Sequence, residues 1–264
     1  MRHFEWQCGL VGLAGLVSAA GCAVTLPGTR LVGGESRLEL RADLPEKEAA
    51  GVLAEADAFL VAVSGELGLR IPSPCIWVFK GEWDYWLYVR SECPALGGRE
   101  GVCFRRGDGE IVVAVRGDAN GRPDRRRLRH ELTHAVVAGS CAEPMPWLDE
   151  GLAQVFEGGC PAVEDTDRLA RVARLEHLEP RLRRVVSLVR HAELNVNDYL
   201  VAWGLARFLL SDERQGPGRV RCCLGPPVLG EVPEVRFRRC IGAWPDELAA
   251  DVMRAVGARR ERRR

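Results

Sequence analysis

The spacing of apolar residues changes period near residue 120, and that change limits the chain to a sheet built early and helices packed later. Residues Arg37 to Leu44 alternate, with Leu38, Leu40 and Ala42 on one side, as a short strand does. Cys75-Ile76-Trp77-Val78-Phe79 is an unbroken apolar run after Pro72 and Pro74, the pattern of a buried strand. Val102 to Arg105 and Glu110 to Val115 flank Gly107-Asp108-Gly109, whose Asp-Gly step is a strong hairpin signal. Two helices interrupt this half. The first, 45–67, opens with Pro45 and sets Val52, Ala56, Phe59, Leu60 and Val63 on one face; the second runs from Trp83 to Arg90. From Asp124 onward the period is helical, over 124–138, 147–157, about 164–191, 197–212 and near 245–257. Helix breakers stand between, at Gly158-Gly159 and across GPGRVRCCLGPPVLGEVPE. The expected class is α+β: a small N-terminal mixed or antiparallel sheet with a hairpin, then a mainly helical half, with no internal repeat.

With 264 residues, 47% hydrophobic and 28% charged, the chain is neither a disordered tail nor a multi-pass membrane protein. Its 37 basic and 37 acidic residues cancel, so bulk charge gives no reason to expect a nucleic acid or an anionic membrane as partner. Lys47 and Lys80 are the only lysines, a bias expected of GC-rich coding, and the arginine-rich run 259–264 reads as a solvated end. Residues 9–21, GLVGLAGLVSAAG, are too short to span a bilayer and suit the core of a signal peptide. The expectation is an exported chain with a signal peptide at 1–21, a tether at 22–36 and one domain over 37–264. Ala19-Ala20-Gly21-Cys22 resembles a bacterial lipobox, with Ala19 where Leu is usual, so the expected membrane attachment is an N-terminal lipid on Cys22 or a signal anchor. Of ten cysteines, eight follow Cys22; an even number in an exported chain favours disulfides, with buried free thiols the alternative for some positions, and the absence of CxxC argues against a cysteine-zinc ribbon.

The segment that carries chemistry is Arg129-His130-Glu131-Leu132-Thr133-His134. On a helix His130 and His134 lie one turn apart on one face, so both imidazoles reach a single metal ion. Glu131 beside them can take a proton from a water and pass it to a leaving amine. Leu128, Leu132, Val136 and Val137 bury the helix and make it rigid. A catalytic site needs a third protein ligand. One known sub-pattern places a Gly and a third His where Val137 and Ser140 stand, and is absent. Another takes Glu from a following helix, and Pro146-Trp147-Leu148-Asp149-Glu150-Gly151-Leu152-Ala153 supplies it.

HELTH followed by PWLDEGLA resembles the gluzincin metallopeptidases, in particular the small bacterial peptidase-MA-like proteins with a thermolysin-like catalytic core. The resemblance implies Zn²⁺ as cofactor, His130, His134 and Glu150 as its ligands, Glu131 as general base, and a peptide or protein as substrate. Asp149 is adjacent and faces the wrong side of the helix if Glu150 is the ligand. Residues Asp198 to Leu209 resemble the Tyr-bearing helix of that family, which implies that Tyr199 polarises the substrate carbonyl; a Tyr packed on Trp203 is the plain alternative. His177 and His191, on an Arg-rich stretch, read as surface residues that could also serve as auxiliary donors. In gluzincins an edge strand before the zinc helix commonly binds extended peptide, a role open to Glu110 to Val115 unless that strand is central.

The leading expectation is an exported zinc metallopeptidase. The alternative is a zinc-bearing surface lipoprotein whose peptidase activity is lost or restricted to one partner. The intact Glu131 argues against the alternative, because holding zinc does not require it.

Overall fold

In the computed structural model, which describes residues 26–257 apart from 97, 142, 163–164, 212–214 and the side chains of 255–257, a five-stranded mixed sheet precedes a helical half. The expected signal peptide, Cys8, Cys22 and the terminal arginine run lie outside the described residues. Strands β1 (Thr29–Gly33) and β2 (Leu38–Ala42) form an antiparallel hairpin. Helix α1 (Glu46–Leu67) crosses over to β3 (Cys75–Phe79), which runs parallel to β2. After α2 (Glu82–Glu92) come β4 (Gly101–Arg105) and β5 (Ile111–Arg116). β5 inserts parallel to β3, leaving β4 antiparallel at the edge, so the order is β1-β2-β3-β5-β4.

The continuous apolar runs of β3 and β5 follow from cover on both faces. Ile76, Val78, Val113 and Val115 join the main core with α1 and the later helices. Cys75, Trp77, Phe79, Val112 and Ala114 face a smaller core closed by Tyr85, Tyr88 and Val89 of α2. β2 has Leu38, Leu40 and Ala42 fully buried and the intervening residues partly exposed, as the alternation requires.

The helical half comprises α3 (Arg125–Ser140), α4 (Pro146–Phe156), α5 (Thr166–Val172), α6 (Leu178–Ser187), α7 (Val196–Leu210), α8 (Gly216–Leu224), α9 (Pro233–Ile241) and α10 (Ala249–Gly257). The α3 N-terminus is set by Asp124, whose carboxylate accepts from the Arg127 N–H at 2.8 Å. α4 is buried along its whole length and packs between α3 and α7. Gly151 permits this: a Cβ there would stand 2.5 Å from the Ala202 carbonyl oxygen of α7.

Four expectations need correction. The tether assigned to 22–36 contains β1, because Gly34, at φ 81°, turns the chain back onto β2, and Asp57 of α1 accepts from the Glu35 and Ser36 N–H groups at 3.0 and 2.8 Å. The helix expected over 164–191 is α5, α6 and a 3-10 turn at His191–Glu193. Pro180 offers no N–H and is confined to the first turn of α6, and His177 before it adopts the left-handed region at φ 56°. The Gly and Pro residues of 216–234 begin α8 and α9, with Pro217 and Pro233 in their first turns. The cysteines contribute one disulfide among the described residues, Cys222–Cys240, while Cys75, Cys103, Cys141, Cys160 and Cys223 remain thiols. Burial pushes the Cys75 thiol up to about 11 and the Cys223 thiol up to about 12, as for inert packed cysteines. No described helix is long and apolar enough to cross a membrane.

Candidate metal centre

Helical spacing brings His130 and His134 to one face of α3, where their Nε2 atoms are 3.2 Å apart. The α3–α4 turn then carries Glu150 over them. Its Oε2 lies 3.7 Å from His130 Nε2 and 3.9 Å from His134 Nε2, and the side chain is 2% exposed. A circle through three atoms so spaced has a radius of roughly 2.1 Å, which matches bonds of about 2.0–2.2 Å from a small metal ion to imidazole nitrogen and carboxylate oxygen. The three side chains therefore form a group that could hold a metal ion.

The far nitrogen of each imidazole meets a carboxylate. His134 Nδ1 is 2.8 Å from Asp149 Oδ1, and His130 Nδ1 is 3.1 Å from Glu157 Oε2. Such pairing fixes the ring so that Nε2 faces the shared centre, where a bound cation would take the place of its proton. Burial alone works against charge on His134, but Asp149, with Glu150 and Glu131 adding to it, outweighs burial and lifts the imidazole to about 10. Burial would likewise raise Asp149, yet His134 and His191 bring it well below the ordinary carboxylate range. Burial also opposes the charge of Glu157, while His130, Arg168 and Arg126 hold it down to about 2. Both arginines reach Glu157 Oε1 at 2.7 Å.

Glu131 lines the adjoining cleft together with His130 and Glu150, and burial raises its carboxyl above the ordinary range against the pull of the two histidines. Edge strand β4 approaches it closely at Gly101, where a Cβ would stand 2.9 Å from Glu131 Oε1. Tyr199, from α7, lines the same cleft of about 760 Å³. Burial and the Glu150 carboxylate raise its phenol, and a hydrogen bond from Arg99 opposes them.

His130, His134, Glu150, Glu131 and Tyr199 thus line or close one site. Asp149 stands behind His134 as its orienting partner, outside the ligand triangle. His191 is more than a surface residue: its Nε2 lies 2.9 Å from Asp149 Oδ2, whereas His177 is exposed. β5 is internal, so Glu110 to Val115 cannot add a peptide strand; β4 holds the edge beside α3. Sequence reasoning passed over Glu157 and Arg99. Glu157 lies seven positions after Glu150, two helical turns along the same face, and that spacing was a usable signal. Arg99 arrives from a loop by tertiary packing and had none. Comparison with protein-family models finds no match, and comparison with curated proteins finds none either. The geometry of the site carries the functional reading alone.

Proposed function

We propose that this chain is an exported zinc metallopeptidase of the gluzincin type, with Zn²⁺ held by His130, His134 and Glu150 and peptide bonds as its substrate. The observation that carries this is the ligand triangle with a carboxylate behind each imidazole and an unengaged glutamate, Glu131, at its side. Two imidazoles with one carboxylate favour zinc over magnesium or calcium, which prefer all-oxygen surroundings. When bound, zinc supplies a Lewis acid that polarises the scissile carbonyl and makes a water molecule easier to deprotonate. Glu131 takes the water's proton on its carboxylate and delivers it to the leaving amide nitrogen. Tyr199 donates its phenolic hydrogen to the oxygen that gains charge. The free edge of β4 suits an extended peptide, which would add there through backbone hydrogen bonds.

The test separates metal from catalysis. Glu131→Gln is expected to keep about one zinc per chain by elemental mass spectrometry and to lose peptide hydrolysis by a factor of about 100 or more. Glu150→Ala is expected to lose the metal. An active Glu131→Gln protein would sink the mechanism, and a purified wild type that takes up no zinc would sink the assignment.

A further inference from the structure

Four arginines line the cleft, and three of them are committed to carboxylates of the protein. Arg126 and Arg168 bind Glu157, and Arg127 pairs with Glu100. Arg99 differs. The carboxylate oxygen that it faces, Glu150 Oε1, is 3.8 Å away, beyond hydrogen-bond range, and its side chain is 45% exposed. Its backbone, in contrast, is held at its own carbonyl and at the next. The buried Tyr85 hydroxyl donates to the Arg99 carbonyl at 2.8 Å, and the next carbonyl, that of Glu100, accepts from the Arg116 N–H at 3.1 Å. The fold therefore fixes the carbonyl side of this residue, while the guanidinium gives a hydrogen bond to the Tyr199 hydroxyl, stays 3.8 Å from the Glu150 carboxylate and leaves its side chain 45% exposed. The guanidinium stands between Glu150 and Tyr199, and the loop bearing it leads straight into edge strand β4.

We infer that Arg99 is a specificity-determining residue that binds a carboxylate of the substrate, so that the preferred peptides carry an acidic group close to the scissile bond. A guanidinium matches a carboxylate with two parallel hydrogen bonds, and in a partly shielded cleft such a charge-assisted pair outweighs its neutral counterpart. The carboxylate comes from an Asp or Glu side chain or from the peptide C-terminus. The inference takes its substrate class from the peptidase reading above, while the anion contact stands on the cleft itself.

The experiment uses fluorescein-labelled peptides with zinc-loaded Glu131→Gln protein, which holds peptide without cleaving it, and reads Kd by anisotropy. One peptide carries Glu and an amidated end, a second carries Gln and a free C-terminus, and a third carries Gln and an amidated end. The expected result is that the first or the second binds about ten-fold tighter than the third, and whichever does so identifies the source of the carboxylate. Adding Arg99→Gln is expected to erase the preference with zinc content unchanged, and Arg99→Glu to reverse it toward a Lys peptide. Equal binding of all three peptides, a preference that survives Arg99→Gln, or loss of zinc from that variant would overturn the inference. Cleavage is scored separately on wild-type protein with a mixed peptide library. Absence of cleavage alongside an Arg99-dependent preference would end the peptidase reading and leave the carboxylate site, and cleavage without preference would do the converse.

Discussion

Asp149 holds two imidazoles at once, His134 at 2.8 Å and His191 at 2.9 Å, so one carboxylate both aims a ligand and ties it to the turn after α6. Asp149→Ala is expected to weaken zinc binding about 10- to 100-fold in a chelator competition, since His134 loses the partner that selects its tautomer. Unchanged affinity would show that packing alone orients the ring. A second single-residue effect lies at Asp57. Burial raises its pKa, but hydrogen bonds from Ser36 and Glu35 more than reverse this and leave it lowered. A carboxylate depressed on folding stabilises the protein above its unfolded pKa, about 3.9, and loses that contribution as pH falls through the folded value. Asp57→Ala should therefore cost roughly 1 kcal/mol at pH 7, discounted for its partial exposure, and progressively less below pH 4 in urea melts. A penalty that persisted in acid would mean that the lost contacts are not ionic. At this scale the candidate metal group was legible, His130 and His134 by their local spacing and Glu150 through the resemblance carried by PWLDEGLA. Arg99 and His191 were not, since their roles exist only after distant segments meet.

Among the elements, the contact between α4 and α7 leaves the least room. The Ala202 carbonyl oxygen occupies the space that a Cβ on residue 151 would need. Gly151→Ala is expected to destabilise the fold by about 1–3 kcal/mol and to displace the neighbouring Glu150, so thermal stability and zinc content should fall together. Loss of neither would show that the two helices can separate freely. Four of the five strands and most helices were legible from period and turn residues: β3 falls on its apolar run, and α1 on its Pro45-led face. β1 was hidden because its partner is a single short strand and the anchor of the turn after it, Asp57, lies on a helix 22 residues beyond Glu35. The break between α5 and α6 was masked by apolar residues that keep helical spacing through it. Pro180 carried the signal and was outvoted by periodicity.

For the whole molecule, stability rests on two apolar cores sharing one sheet, with one disulfide among the described residues linking α8 and α9. The Cys222–Cys240 bridge spans 18 residues, and closing a loop of that size is worth about 3 kcal/mol through the unfolded chain. Double substitution to Ser is expected to lower the melting temperature by roughly 6–12 °C while leaving zinc content intact, because α8 and α9 supply none of the candidate metal-holding side chains. A loss of zinc in that variant would reveal a coupling between the ends of the helical half that the contacts do not show. The α+β arrangement itself followed from the order of periods along the chain, whereas the mixed strand order did not: nothing local tells β5 to slip between β3 and β4.

The ligands and both carboxylates behind the imidazoles come from α3, α4 and the residue that caps α4, all within positions 130–157. A cation held there acts as a clasp on a short hairpin of helices, closing a loop too small to restrain much of the chain. Its grip is therefore regional. The two helices and the cleft floor would gain rigidity, while the outer strands and the α8–α9 end would keep their own motions, and the protein could exchange its metal without passing through the unfolded state.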